Sequence, residues 1–286
     1  MIENNKAGRE FAATATLART AALALTATLS LAASLAHADD YLSPTDERVR
    51  LSLGVIRVSN STDLRLDSSQ GLPGTPVNAE NDLGLDKSDI EAKFQAMVRV
   101  GERHRLRFDY FSLDRSGTEI LTAPIVFRDV VLQTKDPVQT DLNLRTLGIS
   151  YEYSFLHYEK FELAATIGVN DTDISARARV TTQGRHVDQS EDQAGPFPTF
   201  GLDGTYVVSK RFYFDARAQY FRVTFDHVEG NLELYEFDAL YRFRPNVAFA
   251  VGYSGVTAKL NSRQTKDSGY FDFNSKGPEV FVRIAF

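Results

Sequence analysis

The most constraining feature of this sequence is a period of two in its hydrophobicity, repeated from residue 49 to the end. In residues 147–155, for example, Leu147, Ile149, Tyr151, Tyr153 and Phe155 alternate with Thr, Gly, Ser or Glu neighbours. Successive side chains of a strand point to opposite faces, so the pattern predicts sheets with one apolar and one polar face. No apolar run after the N-terminal region approaches the ~18 residues of a membrane helix. The sequence therefore predicts an all-β protein.

Ten runs of this kind predict a closed antiparallel up-and-down transmembrane β-barrel of about ten strands, with eight as the alternative. Four connections are tight turns, and five are longer, at residues 59–87, 114–140, 178–197, 227–232 and 261–270. Short and long connections alternate in this way in outer-membrane barrels. The parity of the apolar residues slips at 111–113, at 144–147 and after Asp171, which predicts bulges or strand ends there. The apolar-rich loop 114–140 predicts a hairpin outside the membrane.

The N-terminal residues 1–38 have the pattern of a cleaved secretion signal. Lys6, Arg9 and Arg19 precede an apolar stretch at 21–35, and the small-x-small sequence at residues 36–38 follows. The alternative, an amphipathic mature helix, is weakened because residues 21–35 are apolar on every face. We therefore expect a signal peptide at 1–38 and a single barrel domain at 39–286.

The apolar faces need either lipid or a soluble core, as in a lipocalin-like barrel, which is the alternative interpretation. The chain has 20 Phe and 12 Tyr, and many of them collect beside the short turns. An aromatic girdle at a membrane interface explains this clustering, whereas a soluble core does not. The residues concerned are Tyr153, Phe155, Phe161, Tyr206, Phe212, Phe214, Tyr241, Phe243 and Phe249.

The C-terminal strand carries the most specific signal. Val280, Val282, Ile284 and the terminal Phe286 share one face, so the chain stops on an outward-facing aromatic. This ending resembles the C-terminal sorting signal of outer-membrane barrels. The resemblance implies recognition by the barrel-assembly machinery, and transit through periplasmic chaperones, in a Gram-negative envelope.

Three further segments resemble the outer-membrane β-barrel domain proteins of proteobacteria, which are related to the OmpA-like and OmpW-like small barrels. They are residues 82–86 (DLGLD), 103–115 (RHRLRFDYFSLDR) and 151–155 (YEYSF). The resemblance implies location in the bacterial outer membrane, with its lipid and lipopolysaccharide as partners, and it says almost nothing about activity. We expect a monomer.

The polar parity would fill the barrel with charges of both signs. A ten-stranded barrel is only slightly wider than the eight-stranded kind that side chains just fill, so we expect a crosslinked salt-bridge interior. The alternative is a narrow ion or solute path with a limited-permeation, porin-like role. The residues of this predicted lumen charge network are Arg99, Arg105, Arg107, Asp109, Glu152, Glu162, Asp203, Asp215, Arg217, Glu236, Asp238, Arg242 and Arg283.

Composition argues against several chemistries. The chain has no Cys, which removes thiolate nucleophiles and zinc-thiolate sites, and no two His fall at ligand spacing, so we expect no metal site and no cofactor. An excess of acid (38 Asp+Glu against 32 Lys+Arg) argues against nucleic acid as a partner. The acidic segment 78–89 is a weak candidate for Ca²⁺.

Our first hypothesis is a non-enzymatic barrel with a structural or surface-interaction role and no catalytic residues. The alternative is an omptin-like or lipid-modifying hydrolase at the outer rim. Asp171, Asp173, Asp226 and His227 lie near that rim, but Asp226 and His227 are adjacent and would point to opposite faces. A lipid-modifying site needs a His beside a Ser on the lipid-facing wall. The mature histidines, His104, His157, His186 and His227, lie at turns or loops.

Overall fold

The computed structural model describes residues 42–68, 72–127, 130–182, 185–225, 227–263 and 268–286. The predicted signal peptide at 1–38 lies outside these residues. The elements are β1 (Val49–Leu66), β2 (Val77–Asn78), α1 (Ala79–Asp82), β3 (Ser88–Val100), β4 (His104–Ile120), β5 (Ile125–Phe127), β6 (Val130–Leu132), β7 (Pro137–Tyr158), β8 (Phe161–Thr182), β9 (Arg185–Val207), β10 (Phe212–Phe225), β11 (Val228–Arg244), β12 (Val247–Ser262) and β13 (Gly269–Ala285). Within the described part, the structure has no helix of the length and hydrophobicity that membrane crossing requires.

Ten antiparallel strands close into a barrel. They run in the order β1, β3, β4, β7, β8, β9, β10, β11, β12 and β13, and β13 pairs back with β1. The register places Leu53 opposite Val282 at this closure. The short β2 continues the sheet beside β1, and β5 and β6 form a separate hairpin. The predicted closed barrel, and its ten strands, are confirmed.

The apolar parity faces outward, as predicted. On β7, Leu147, Ile149, Tyr151, Tyr153 and Phe155 are all exposed, and the residues between them are buried. These nine positions match the 9–11 residues that a tilted strand needs to cross a bilayer. Charged and hydroxyl side chains occupy the inner face of the same stretch, so the barrel has the polarity of a membrane barrel and not that of a soluble core.

We call the end with the short turns and both described termini the turn end, and the opposite end the rim end. The turn-end connections are residues 101–103, 159–160, 208–211 and 245–246. The six described aromatics Tyr153, Phe155, Tyr206, Tyr241, Phe243 and Phe249 are exposed near this end. Phe243 stacks on Phe249, with ring centroids 5.0 Å apart. The predicted girdle is present, with Phe161, Phe212 and Phe214 half-buried at its margin.

The predicted long loops are mostly strand, which corrects the expectation. β7, β8 and β9 have 22, 22 and 23 residues, far more than a bilayer requires. Pairing continues to Thr182 opposite Arg185 and to Phe225 opposite Val228. Within the described residues, the loops predicted at 178–197 and 227–232 are ladder apart from the turn at His227, and those at 59–87, 114–140 and 261–270 are shorter than expected. Above the membrane the outer face meets water, so the apolar alternation fades there although the backbone pairing continues.

The irregularities predicted at 144–147 and after Asp171 are wrong, because pairing runs through both without a shift. At 111–113 the β4–β7 ladder is also continuous, but the β3–β4 ladder ends at Lys93 opposite Phe111, so the predicted end of pairing is present on that side. Phe111 and Leu113 stay on the inner parity of β4, where the barrel interior is itself apolar at this height. The register shifts instead at Ser154/Leu156 and at Arg242/Arg244, close to the turn end. The predicted hairpin within 114–140 is confirmed, since Ile125 pairs with Leu132.

Candidate functional site: the barrel interior

The structure places all of the predicted lumen residues on the inner parity of their strands, and most of them are buried. It joins them into separate groups at successive heights rather than into one network. From the turn end upward these groups are the residues that bind Glu47, an arginine network, two isolated ion pairs with an acidic cluster, and an apolar layer.

The arginine network fills the lumen just above the turn end. It consists of Arg99, Arg105, Arg107, Glu152, Glu162 and Asp203, which is three cations against three anions. Arg105 is fully buried and its guanidinium contacts Glu152 at 2.9 Å, Glu162 at 3.0 Å and Asp203 at 2.7 Å. The balanced charge allows all six side chains to be ionised in a dry interior.

Local sequence explains this arrangement. Arg105 and Arg107 lie two residues apart on β4 and therefore share its inner face, and Glu152 pairs directly with Arg105 across the ladder to β7. Asp203 comes from β9, which is not a neighbour of β4 in the sheet, so its bonds to both arginines cross the lumen. The network thus ties opposite walls of the barrel together.

Residues 42–48, which we call the mouth segment, close the turn end and were missed by the sequence analysis. Glu47 is buried and accepts hydrogen bonds from Arg50 and from Arg242 on β11. Ser43 donates to the carbonyl of Glu159 in the β7–β8 turn at 2.7 Å. The segment precedes the first strand and has no alternation to reveal it. The one signal in the sequence is the acidic Glu47, three residues before the inward-facing Arg50.

Two isolated pairs lie above the arginine network. Arg217 contacts Asp109 at 2.9 Å, and Arg283 binds Asp215 and the hydroxyl of Ser52. At the same height Glu236, Asp238 and Glu279 form an acidic cluster with carboxylate oxygens within 4.8 Å of one another. The predicted network included Glu236 and Asp238 but not Glu279, which lies on the inner face of β13 between Phe281 and Gly277.

An apolar layer lies inside the barrel above the charged groups, on β1, β4, β7, β8, β12 and β13, and nothing in the predicted network anticipated it. Its buried members are Ile56, Val58, Leu113, Leu144 and Phe273, all on inner parities of their strands. Half-buried Phe111, Ile174, Val256, Ala258 and Phe271 surround them. A layer of aliphatic and aromatic side chains offers no hydrogen bonds to an ion or water at this height.

The rim end is filled by the connections rather than by the strands. Glu80 of α1 accepts from Arg115 at 2.7 Å and from the backbone N–H of Thr62 at 2.8 Å. Residues from β2, α1, the β4–β7 connection and the inner faces of β7 and β8 pack into one apolar cluster: Val77, Leu83, Leu121, Ile125, Leu132, Val138 and Val180. In the weak Ca²⁺ candidate at 78–89, Glu80 is thus paired with Arg115, and Asp82 accepts from the N–H of Asn78.

The structure does not assemble the residues of the enzyme alternative. Asp171 and Asp173 are exposed on the outer face of β8, pointing away from the lumen. His227 is exposed in the β10–β11 turn, and Asp226 lies outside the described residues, as does the side chain of His186. His104 is on the outer face near the turn end, where its ring bonds the hydroxyl of Tyr151 at 2.6 Å. His157 lies 3.2 Å from Glu162 in the interior.

The C-terminal residues occupy the positions that a sorting signal would need. Val280, Val282 and Ile284 are exposed on the outer face of β13. The backbone carbonyl of Phe286 accepts from the N–H groups of Arg48 and Val49, which fastens the chain end to the start of β1. Recognition of this strand by an assembly machinery stays a prediction.

The outer wall carries a polar groove above the apolar band of β4, β7 and β8. Its volume is about 470 Å³, and an ion pair between Arg179 and Asp141 at 3.0 Å crosses it. The lining residues are Asp114, Arg115, Ser116, Asp141, Asn143, Ser175, Arg177 and Arg179. Asn143 lies four residues above Leu147, the last apolar residue of the band, and four strand residues span roughly 13 Å. The groove therefore begins above the apolar band and extends outward along the strands to Arg179, which pairs with Gln139.

Comparisons with known proteins agree on the fold. No family model matches the chain, and no curated protein sequence matches it. Among solved structures, the outer membrane protease OmpT from Escherichia coli is similar over 87% of this chain and 100% of that chain, with a TM-score of 0.55 at 12% identity. The translocator domain of the autotransporter NalP from Neisseria meningitidis is similar over 94% of this chain and 97% of that chain, with a TM-score of 0.50 at 14% identity. Likeness at such identities shows the fold alone, which is that of an outer-membrane β-barrel.

Proposed function

We propose that this protein is a non-enzymatic, non-conducting barrel of the bacterial outer membrane that presents a protruding wall of strands to the outside. The observation that carries the proposal is the filled interior. The mouth segment, the arginine network, the apolar layer and the rim cluster obstruct the lumen at four heights. A porin-like path would need a continuous polar channel through all of them.

The length of the strands supports a role at the surface. β7, β8 and β9 continue well beyond the nine-residue apolar band, so a paired and rigid wall stands above the lipid. Paired backbone resists bending and proteolysis better than a free loop does. Such a wall is suited to holding fixed side chains toward a ligand, a neighbouring molecule or the lipopolysaccharide layer.

Lipid contact is the second element of the proposal. The exposed apolar band suits hydrocarbon, and the groove that contains Arg179 lies on the same outer wall above this band. Guanidinium groups pair well with phosphate, so lipopolysaccharide is the partner that we expect at this wall. Assembly by the barrel machinery after chaperone transit, and a monomeric state, belong to the same proposal.

Planar-bilayer recording of the refolded protein tests the central claim. We expect no steady single-channel current in salt, and heat-modifiable gel migration of the same sample should show that the barrel is folded. A steady conductance from folded protein would contradict the proposal and favour the limited-permeation alternative.

A hydrolase at the rim is the second candidate, because the fold is similar to that of a protease. Asp171, Asp173 and His227 are the described residues that it would use. Folded protein in outer-membrane vesicles should be assayed with a peptide library and with lipid substrates, alongside the variants D171N/D173N and H227A. Hydrolysis by the unmodified protein that is lost in either variant would support this candidate. We expect no hydrolysis by any of them.

A further inference from the structure

In the acidic cluster of Glu236, Asp238 and Glu279, the carboxylates outnumber the cations that contact them. The arginine network pairs three cations with three anions, and Arg217 and Arg283 each have one carboxylate. Here three carboxylates share a single cation, Lys93, whose Nζ lies 2.9 Å from Glu236 and 2.8 Å from Glu279. With all three carboxylates ionised, these four side chains would sum to two negative charges, and Arg107, Arg217 and Arg283 lie near enough to act on Glu236 or Asp238 from outside the cluster.

The same cluster contains buried carboxylate oxygens with no donor. Asp238 is 1% exposed, and neither its Oδ1 nor its Oδ2 has a hydrogen-bond partner among the described residues. Glu279 is 2% exposed, and its Oε1 is also without a partner, whereas its Oε2 accepts from Lys93 and Ser254. Buried polar atoms are nearly always satisfied, and an unpaired buried carboxylate is among the most expensive groups to leave so. These three oxygens point to a missing positive ligand.

Gly252 pairs with Asp238 across the β11–β12 ladder, and the Asp238 carboxylate occupies the space that a Cβ on Gly252 would need, since such a Cβ would come within 1.8 Å of Asp238 Oδ1. Beside Glu279, a cavity of about 10 Å³ is lined by polar Ser52, Gln95 and Lys93 together with Gly54 and neighbouring residues. A cavity of that size holds one water molecule, which could complete a coordination shell.

We propose that Glu236, Asp238 and Glu279 bind a hard divalent cation, Ca²⁺, inside the barrel. All of the available donors are carboxylate, hydroxyl or amide oxygens, which are the ligands of Ca²⁺ and not those of zinc. Oxygens on one Ca²⁺ lie up to about 5 Å apart, which accommodates the 4.8 Å limit of the cluster. Two positive charges would cancel the two that Lys93 leaves over.

The ion would act as a crosslink between walls. Glu236 and Asp238 lie on β11 and Glu279 on β13, with β12 between them, and Lys93 reaches the cluster from β3 on the far side of the closure. The site lies between the arginine network and the apolar layer, so a bound ion would join three non-adjacent strands inside the folded barrel. Calcium should therefore raise the stability of the folded barrel.

The test is refolding of the full barrel after EDTA treatment, followed by thermal unfolding with and without millimolar CaCl₂ and by calorimetric titration with CaCl₂. Ca²⁺ should raise the Tm by roughly 5 to 10 °C, as for a ligand present at about 100 times its Kd. The titration should show one Ca²⁺ bound per barrel. MgCl₂ at the same concentration should have a clearly smaller effect, because Mg²⁺ keeps its waters and demands shorter bonds.

Two variants separate binding from folding. D238N removes one buried charge without changing the shape of the side chain, so without calcium it should be at least as stable as the unmodified protein. Its affinity for Ca²⁺ should be at least tenfold lower. E279Q should lose the response as well, and it serves if D238N fails to fold. D272N is the matched control, because Asp272 is an exposed acid on the same β13 paired with Lys259, and it should respond like the unmodified protein.

Three results would overturn the proposal. The first is that the folded, unmodified protein shows no calcium-dependent shift in Tm and no binding in the titration. Lys93 and a proton shared between carboxylates would then account for the cluster. The second is a shift of equal size in D238N, E279Q and D272N, which would mean calcium acts at the surface. The third is an equal response to magnesium.

Discussion

Arg105 and Asp203 meet across the barrel lumen at 2.7 Å, although 98 residues and two intervening strands separate them. Neither side chain reaches water, and Asp203 also accepts from Arg107 at 2.8 Å. The bond therefore holds β4 against β9 without any help from the sheet. It makes the arginine network a structural brace and the first place where a mutation should be felt.

Replacing Asp203 with Asn should destabilise the folded barrel by about 3 to 5 kcal/mol, because Arg105 and Arg107 would each lose a charged partner in the interior. Unfolding by urea in detergent or lipid vesicles measures this loss. Because the chain has no Trp, the unfolding is monitored by far-UV circular dichroism. The matched control is D272N, which breaks an exposed pair with Lys259 and should cost less than ~1 kcal/mol. Equal losses in the two variants would show that the brace is not energetically special.

The apolar layer yields a prediction about packing. Leu113 is fully buried inside the barrel, so L113A should cost about 2 to 5 kcal/mol through lost contacts and a cavity. Leu147 is half exposed on the outer face, where lipid fills the space that its removal leaves, so L147A should cost much less. The same urea unfolding measures both. A larger loss for L147A than for L113A would contradict the inside and outside assignments.

The interior and exterior faces of the strands were predictable from the sequence, because a period of two assigns each residue to one face whatever the partner strand. Placing Arg105 and Glu152 on the inner face needed only their neighbours. Pairing Arg105 with Asp203 was not predictable, since it depends on the stagger and closure of ten strands. One sequence contains no information on that stagger that can be read by eye.

The errors have a common physical cause. Alternation of apolar and polar residues arises when the two faces of a sheet meet different surroundings. At Phe111 and Leu113 the barrel interior is as apolar as the lipid outside. The contrast vanished there, although β4 keeps its register with β7 and only its ladder with β3 ends at Phe111. In residues 178–197 the outer solvent is water, so the pattern faded although the ladder continued. The mouth segment around Glu47 has no ladder at all and gave no pattern.

The rim offers a prediction about pH. Burial acts to raise the pKa of Asp67, but the N–H of Gly74, the hydroxyl of Ser268 and the charge of Arg65 outweigh it, and the pKa lies below the usual 3.8. A lowered folded pKa means that Asp67 stabilises this contact at neutral pH and that the stabilisation is lost as the pH falls through the folded pKa.

Carbon NMR of the Asp67 carboxyl measures this directly. The titration midpoint should lie below 3.8 in the unmodified protein and should rise toward it in S268A, which removes one donor. The fastening of β13 to the end of β1 should loosen in the same acid range, and D67N should be loose at every pH. An unchanged midpoint in S268A would show that Ser268 does not hold the carboxylate.

The C-terminal strand allows assembly to be separated from stability. F286A removes the terminal aromatic ring but keeps the backbone bonds from Phe286 to Arg48 and Val49. If the ring is read by an assembly machinery, F286A should lower the yield of folded barrel in the outer membrane of cells several-fold. Purified F286A refolded in detergent should be within about 1 kcal/mol of the unmodified protein, because Phe286 is only half-buried and lies at the chain end.

F249A provides the control, because Phe249 is another exposed aromatic of the girdle near the turn end and belongs to no proposed signal. Its loss of lipid contact should resemble that of F286A in the refolding experiment. In cells, F249A should assemble at close to the unmodified level. If both variants assemble equally well, the terminal ring is only one more membrane anchor, and the resemblance of residues 280–286 to a sorting signal has no functional consequence.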